Sequence, residues 1–269
     1  MTSPPVSRQE RQKSSNKKKH RRQLIGAFAT AAILLAGAAV FFTARGDDQK
    51  PVVAKSATTT TTTTESAFKP FTIATTTGGP LDAYLEPSTS AAKITQLSAK
   101  TEYNLTRTVM VIEQRDGWIK ALLPMEPNGT EGWIPAASVT LSTTNYEIDI
   151  NLTTYTLVLK DSGKSVFEAS VALGAPTTRT PPGRYYITDP IDLTKKLDPL
   201  YGAYALGISG YSEDIESFRG GPGQLAIHGG AWESMLGTNP SKGCIRMLND
   251  QVVALAGKVP LGTPVTITA

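Results

Sequence analysis

From Phe68 to Ala269 most of the sequence is divided into short runs in which apolar and polar residues alternate, and turn residues separate one run from the next. A period of two places one side of a strand in a core and the other side in solvent. Short runs with turns this frequent are typical of small barrels and sandwiches, and not of helical bundles. The pattern therefore predicts a mainly β fold over this whole region.

The first group of runs covers residues 68–142 and carries a repeat of Gly-Trp-Ile at 117–119 and 132–134. The repeat resembles the paired Gly-Trp-hydrophobic strands near the end of bacterial SH3-like domains. The resemblance implies a small β-barrel that binds cell-wall peptide or packs beside a catalytic domain. The alternative is that Trp118 and Trp133 are core residues of a barrel that serves as a spacer.

The second group of runs covers residues 145–269 and begins with a predicted meander of three strands, near 146–152, 154–159 and 165–173. Residues 188–223 follow, are rich in Gly, Pro, Ser and Asp, and show no sustained period. A long irregular stretch inside a compact domain is usually functional, so this one is expected to form a lid or a wall beside a site.

A short apolar run at 224–227 predicts a buried strand that ends at His228. Beyond Cys244 the apolar spacing becomes helical, and Asn249 is suited to cap a short helix. Residues 262–268 then predict a closing strand. The second group therefore predicts a β-rich domain with one short helix after the cysteine.

Cys244 is the only cysteine in the 269 residues, and His228 is one of two histidines. Both have glycine neighbours, in the stretches Ile227-His228-Gly229-Gly230 and Ser241-Lys242-Gly243-Cys244-Ile245-Arg246-Met247. A lone cysteine is often a small packing residue, and a histidine at a strand end is often structural. Together, with glycines and basic residues around them, the two indicate a cysteine nucleophile and its base.

These motifs, with Thr180-Pro181-Pro182-Gly183, resemble the L,D-transpeptidase catalytic domain, also called the YkuD fold, over nearly all of residues 145–269. The resemblance implies a mostly β domain whose cysteine attacks peptidoglycan stem peptides, releases the terminal D-alanine and forms a thioester. Many relatives carry a second histidine where this chain has Lys242, which leaves His228 as the candidate base. Many also carry Thr or Ser where this chain has Gly230.

A free thiol is mostly protonated near neutral pH, so a base or a positive environment must assist it. Lys242 and Arg246 flank Cys244 and are expected to lower the pKa of its thiol. Both are candidates for substrate binding, because Arg246 can hold a peptide carboxylate through two parallel hydrogen bonds.

The backbone amides of Gly243 and Cys244 are candidates for an oxyanion hole, which stabilises the charge that develops on the attacked carbonyl. Ser241 is expected either to steady the turn or to bond to His228. The carbonyl of Gly229 is the expected partner that orients the imidazole.

Three tyrosines of the stretch 188–223 are candidates to line a substrate lid, namely Tyr201, Tyr204 and Tyr211. Of these, Tyr204 and Tyr211 are assigned to substrate binding. Asp198 and Asp214 are alternative orienting groups for the imidazole, but a backbone carbonyl is the preferred one.

Leu24 to Thr43 is a run of 20 residues without a formal charge, which as a helix is long enough to span a bilayer core. Basic residues precede it, which places the amino terminus in the cytoplasm. The expected order is a basic tail (1–23), a transmembrane anchor (24–44) and a disordered threonine-rich linker (45–67), with the remaining chain outside, facing the cell wall. A cleaved signal peptide is the alternative, and the length of the run disfavours it.

The net charge of +4 is concentrated in residues 1–22, which hold eight basic residues and one acidic residue. The rest of the chain has a net charge of −3, which argues against nucleic-acid binding. One cysteine and two histidines are too few for a multi-thiolate zinc site. No metal or cofactor is expected, and the expected partners are peptidoglycan stem peptides and the membrane.

The leading hypothesis is an anchored L,D-transpeptidase that forms 3→3 cross-links between stem peptides. A second hypothesis is an L,D-carboxypeptidase on the same fold, in which water resolves the thioester. A third is a non-catalytic wall-binding protein that acts through its SH3-like domain. The intact pair of Cys244 and His228 argues against the third.

Overall fold

The computed structural model describes residues 68–269, which form two main β-sheets with Asn145 between the last strand of one and the first strand of the other. We call residues 68–144 the first β module and residues 146–269 the second β domain. The prediction of a mainly β fold is confirmed for this part of the chain. The predicted tail (1–23), anchor (24–44) and linker (45–67) lie outside the described residues. Within 68–269 no helix has the length and apolar character needed to cross a bilayer.

The first β module is a sheet of antiparallel strands with the bounds Phe71–Thr76 (β1), Leu81–Tyr84 (β2), Lys93–Leu97 (β3), Thr108–Arg115 (β4), Trp118–Leu122 (β5), Glu131–Pro135 (β6) and Val139–Thr144 (β7). Their order is β3-β2-β6-β5-β4-β1-β7, and a 3-10 turn at Ala136–Ser138 precedes β7. Trp133 is 4% exposed, and Trp118 contacts Tyr84 edge-on. Both repeat tryptophans therefore pack within this module, and its kinship to SH3-like domains stays a prediction.

The second β domain has strands with the bounds Tyr146–Asn151 (β8), Thr156–Asp161 (β9), Lys164–Ser170 (β10), Gly183–Asp192 (β11), Tyr204–Tyr211 (β12), Ser217–Phe218 (β13), Gly221–Pro222 (β14), Gln224–His228 (β15), Ile245–Arg246 (β16) and Pro264–Thr268 (β17). The main sheet has the order β10-β9-β8-β17-β11-β12-β15-β16, and β13 and β14 form a separate hairpin. The predicted meander is present as β8, β9 and β10. A 3-10 turn at Glu233–Met235 and a helix at Asn249–Ala256 (α1) complete the domain.

The core of the second β domain follows from the alternation seen in the sequence. Ile148 and Ile150 on β8 are fully buried, and so are Leu157 and Leu159 on the neighbouring β9. Burial of one such side chain contributes about 1.5–3 kcal/mol. Helix α1 packs on the sheet through two further buried residues, Val252 and Leu255.

The prediction that residues 188–223 are irregular throughout is wrong. Strand β11 extends to Asp192, and β12 pairs with it in antiparallel register. Six consecutive residues of β12 are buried, so the strand has no solvent-exposed face. Its sequence therefore lacks the alternation of apolar and polar residues that marks a half-buried strand. Residues 213–223, which we call the flap, contain the β13–β14 hairpin. Arg219 and Gly220 form its two-residue tip with φ of 53° and 85°, as a tight hairpin turn requires.

The first β module packs directly against the second β domain. The Asn128 side chain donates to the Tyr211 carbonyl and accepts from the Tyr211 amide, both at 2.8 Å. The Tyr211 hydroxyl donates to the Pro124 carbonyl at 3.2 Å. Tyr186 of β11 is fully buried among the core residues of the first module. The two parts therefore share a packed interface.

Candidate active site

Strands β15 and β16 pair in parallel, with Ile227 opposite Ile245 and His228 opposite Arg246. The two isoleucines are fully buried in the core. Because side chains alternate along a strand, His228 and Arg246 face the other way, and Cys244, two residues before Arg246, shares their face. These three residues line one cavity of about 310 Å³, which we call the catalytic cavity. The structure thus brings the predicted nucleophile and base together.

The imidazole of His228 is 1% exposed, and its Nδ1 atom lies 2.7 Å from the carbonyl oxygen of Gly229. A carbonyl only accepts, so this contact assigns the proton to Nδ1 and leaves Nε2 as an acceptor. Burial lowers the pKa of His228 from 6.5 to about 4, the Gly229 carbonyl opposes this shift, and the charge of Arg246 adds to it. The imidazole is therefore neutral at physiological pH and able to accept a proton.

The ring of Tyr201 packs edge-on against the His228 imidazole, with 5.0 Å between ring centroids. The loop that carries Tyr201 is fixed by Asp198, which accepts from the amides of Leu200 and Tyr201 at 2.8 and 2.9 Å. Asp198 also lies 3.6 Å from Arg219 of the flap. Asp198 therefore shapes the wall beside the imidazole, while the carbonyl of Gly229 orients it.

Cys244 is partly exposed and lines the catalytic cavity. Burial raises the pKa of its thiol, and the Ala226 amide and the Arg246 charge offset only part of that rise. Lys242 points to the flap instead, where its Nζ atom lies 5.4 Å from the centre of the Phe218 ring. Arg246 therefore lowers the thiol pKa as expected and Lys242 does not contribute, but desolvation is the larger effect and the net pKa is raised.

Ser241 steadies the turn that presents the thiol. Its hydroxyl donates to the Cys244 carbonyl at 2.6 Å and accepts from the Gly243 amide at 3.1 Å. Gly243 has a φ of 110°, and a Cβ there would lie 3.0 Å from Cδ2 of Leu225, so a side chain would be strained. The Gly243 amide, one of the two predicted oxyanion donors, is occupied by its hydrogen bond to Ser241. The Cys244 amide, the other predicted donor, has no hydrogen-bond partner among residues 68–269.

Asn249 begins α1, but its side chain makes no capping hydrogen bond, so the predicted cap is wrong. Its Oδ1 atom instead accepts from the backbone amides of Ala203 and Gly230, both at 3.0 Å. This ties the loop after His228 to the loop before β12. Gly230 has a φ of 77°, and a Cβ there would lie 2.6 Å from the Leu200 carbonyl. A Thr or Ser side chain therefore has no room at this position.

Arg246 supplies a positive charge to the catalytic cavity. Its Nε atom is buried without a hydrogen-bond partner, and it has no salt bridge among residues 68–269. Lys242 also lines the cavity, and no acidic residue of the described chain does. The cavity is therefore suited to a ligand that carries a carboxylate.

The flap contributes two apolar residues that sequence reasoning missed, Phe218 and Ile215, which line the catalytic cavity. The available signal was their apolar character within an otherwise polar stretch. The base of the flap is held by Asp214, which accepts from the Arg179 amide at 2.8 Å and pairs with the Arg179 guanidinium at 3.3 Å. Asp214 therefore fixes the flap and makes no contact with the imidazole.

Of the three candidate lid tyrosines, only Tyr201 lines the catalytic cavity. Tyr204 begins β12 opposite Asp192, away from the cavity lining. Tyr211 ends β12 in the interface with the first β module. The predicted substrate contacts of Tyr204 and Tyr211 are therefore not supported, because β12 carries both residues into the sheet and its interface.

Comparison with known proteins places these features in a family. Residues 145–267 match the YkuD family, described as the L,D-transpeptidase catalytic domain. The chain is 31% identical over 153 residues to the Bacillus subtilis protein named L,D-transpeptidase YkuD, a match that covers 55% of this chain and 84% of that protein. It is 36% identical over 104 residues to the protein YqjB of the same organism, covering 37% of this chain and 57% of that protein. An L,D-transpeptidase structure from Mycobacterium tuberculosis H37Rv matches with a TM-score of 0.41 at 16% identity, over 61% of this chain and 90% of that chain.

Proposed function

Because this chain belongs to the YkuD family of L,D-transpeptidases, which are cysteine acyltransferases, we propose that it forms 3→3 cross-links between peptidoglycan stem peptides. The observation that carries the proposal is the shared cavity of Cys244 and His228, lined also by Arg246, whose Nε atom has no hydrogen-bond partner among residues 68–269. A thiol, a neutral base and a carboxylate-binding cation are the groups that acyl transfer from a peptide requires.

In the acylation step, the Cys244 sulfur attacks the carbonyl carbon of the third stem residue, and Nε2 of His228 takes the thiol proton. The carbonyl oxygen becomes an oxyanion, which the Cys244 amide is available to stabilise. The bond to D-alanine then breaks, and the imidazolium gives its proton to the leaving nitrogen. Arg246 is the residue proposed to hold the carboxylate of the donor peptide.

The resting pair is proposed to be neutral, with a protonated thiol and an unprotonated imidazole. This follows from the raised thiol pKa and from an imidazole pKa of about 4. Proton transfer then takes place as the sulfur attacks, when the growing negative charge moves to the carbonyl oxygen. An ion pair is therefore not required before the substrate binds.

In the second step, the side-chain amine of a neighbouring stem peptide attacks the thioester carbonyl. A carbon–nitrogen bond forms, the carbon–sulfur bond breaks, and the amine proton passes through His228 to the departing thiolate. Water in place of the amine would release a tripeptide and make the enzyme an L,D-carboxypeptidase.

Two measurements on the full chain test the proposal. Incubation with a carbapenem should add one β-lactam mass to the protein, and Cys244→Ala should take up none. Incubation with disaccharide-tetrapeptide should yield cross-linked dimers together with free D-alanine. An unlabelled wild type, or equal labelling of the alanine variant, would rule out an active thiol. Tripeptide without dimer would assign the enzyme as a hydrolase.

The basic tail and the uncharged run Leu24–Thr43 support a further part of the proposal, a single-pass protein whose second β domain lies outside the cytoplasmic membrane. Protease added to intact spheroplasts should remove a tag at the carboxy terminus and spare a tag at the amino terminus. Protection of both tags would contradict this topology.

A further inference from the structure

Two hydroxyl groups hold the two peptide planes on either side of the Cys244 α-carbon. Ser241 donates to the Cys244 carbonyl at 2.6 Å, which fixes the plane that follows the cysteine. The plane that precedes the cysteine contains the Gly243 carbonyl, which accepts from Oγ1 of Thr180 at 2.8 Å. Thr180 lies 63 residues before Gly243, in the motif Thr180-Pro181-Pro182-Gly183. This motif is not part of the lining of the catalytic cavity.

The direction of the Thr180 hydroxyl is set by its two partners. Its oxygen accepts from the backbone amide of Gly174 at 2.9 Å. Because a carbonyl can only accept, the hydroxyl hydrogen points to the Gly243 carbonyl. Thr180 is 5% exposed and both hydrogen bonds are buried, so the Gly243 carbonyl is held toward the interior of the domain.

Thr180 is itself held in place by the residues that follow it. The residue before a proline is restricted to extended backbone, and a β-branched side chain has few χ1 rotamers. The hydroxyl of the buried Tyr185, on β11, lies 3.2 Å from the Pro181 carbonyl and 3.3 Å from the Pro182 carbonyl. The two prolines are therefore anchored to the sheet, and Thr180 presents its hydroxyl with little conformational freedom.

The bond to the Gly243 carbonyl also fixes the direction of the Cys244 amide. The Gly243–Cys244 peptide is planar and trans, so its carbonyl and its amide hydrogen point in opposite directions. The Cys244 amide has no hydrogen-bond partner among residues 68–269 and is the donor available to the oxyanion. A glycine at 243 permits many backbone angles, so this peptide plane would turn more freely without the bond from Thr180.

We propose that Thr180 is a positioning residue for acyl transfer, because its hydroxyl aims the Cys244 amide at the oxyanion. The proposal rests on the proposed transpeptidase function and extends it to a residue outside the lining of the catalytic cavity. Thr180 acts through the Gly243–Cys244 peptide, and its effect is confined to steps in which a carbonyl oxygen becomes an oxyanion. Acylation by the donor and attack on the thioester both include such a step.

The test compares two reactions of the same thiol in the full chain at one pH. Acylation by a carbapenem passes through an oxyanion, whereas alkylation by iodoacetamide displaces iodide from a saturated carbon and forms none. Thr180→Val should lower the acylation rate by about 10- to 100-fold, less than the full loss of an oxyanion donor. The alkylation rate should stay within about twofold, because it depends on the thiol pKa and on access. Thr180→Ser keeps the hydroxyl and should restore acylation to within about threefold of wild type.

Thr178→Val is the matched control. Thr178 lies on the same segment, and its Oγ1 atom donates to the Ser241 carbonyl at 3.2 Å. That carbonyl also accepts from the Ala175 amide at 2.9 Å, so it keeps a partner in the variant. Its peptide plane does not adjoin Cys244. This variant should therefore keep the acylation rate and the alkylation rate of wild type.

Equal acylation rates for Thr180→Val and the control would overturn this role of Thr180 alone. So would rates of acylation and alkylation that fall together, or a serine variant that recovers no acylation, because the threonine would then serve only the fold. Circular dichroism shows whether each variant is folded. If the valine variant is not, Thr180→Ala takes its place and should show the same split between the two reactions, and unfolding of both would overturn the role as well. A wild type that reacts with iodoacetamide but with no carbapenem would instead remove the transpeptidase function, and the role of Thr180 with it.

Discussion

The imidazole of His228 should remain neutral until the pH falls to about 4, because burial lowers its pKa to about that value. The chain has two histidines, so an NMR titration of the full chain shows two imidazole signals, and His20→Gln assigns them. The expected result is a midpoint near 4 for His228. The rate of carbapenem acylation should follow the same curve, holding at pH 6 and falling below pH 5.

The same shift predicts how stability depends on pH. The pKa in the folded chain is lower than the unfolded value of 6.5, so the unfolded chain binds the proton first. The stabilisation that follows from the lowered pKa of His228 is therefore complete above pH 6.5, and it is lost as the pH falls toward 4. Between pH 7.5 and pH 4.5 the loss should be about 2–3 kcal/mol of unfolding free energy, from 1.36 kcal/mol per pKa unit.

His228→Gln isolates that loss, because glutamine does not titrate and every other group is retained. Urea titrations of both proteins at the two pH values give the difference. Wild type should lose about 2–3 kcal/mol more than the variant. Equal losses of stability in the two proteins, or an NMR midpoint near 6.5 for His228, would refute the reasoning that desolvation lowers the pKa of this residue.

Three further outcomes follow from the structure. Iodoacetamide should alkylate Cys244 more slowly than free glutathione at pH 7 and accelerate above pH 9, because burial raises the thiol pKa; a faster rate at pH 7 would indicate a resting thiolate. Asn249→Ala leaves the backbone amides of Ala203 and Gly230 without their acceptor, so it should lower the free energy of unfolding in urea by about 1–3 kcal/mol and slow acylation. Asn249→Asp keeps an acceptor oxygen and should lower the free energy of unfolding less. Asn128→Ala removes both bonds to the Tyr211 backbone and should lower stability by about 1–3 kcal/mol with acylation unchanged, and a change in acylation alone would place this residue in the site.

The parts of the fold that were predictable from the sequence are those with a local signal. Strands β8 and β9 bury alternate residues, and their period of two appears directly in the sequence. Strand β12 gives no such signal, because its burial on both faces depends on neighbours that are distant in the chain. Its glycines then suggest a loop, although Gly207 serves strand packing against Asp189.

The candidate site shows the same division. Cys244 and His228 were identifiable because each is a rare residue type within a specific motif. Their pKa values were not, since desolvation is set by the packed surroundings and not by charges nearby in sequence. Asn249 has the residue type and position of a helix cap, and only the folded chain reveals that its side chain bonds to two distant amides.

The tie at Asn249 affects where conformational entropy is lost. The Asn249 side chain joins the loop after His228 to the loop that carries Tyr201. Because these two loops are ordered when the chain folds, no conformational entropy has to be lost there when a substrate binds. On the other side, the flap hairpin contacts the domain through exposed side chains: Arg219 lies beside Asp198 and over the Tyr201 ring, and Lys242 lies over the Phe218 ring. Discrimination between peptides should therefore come from the cost of ordering the flap, while the histidine side presents the same rigid surface to every substrate.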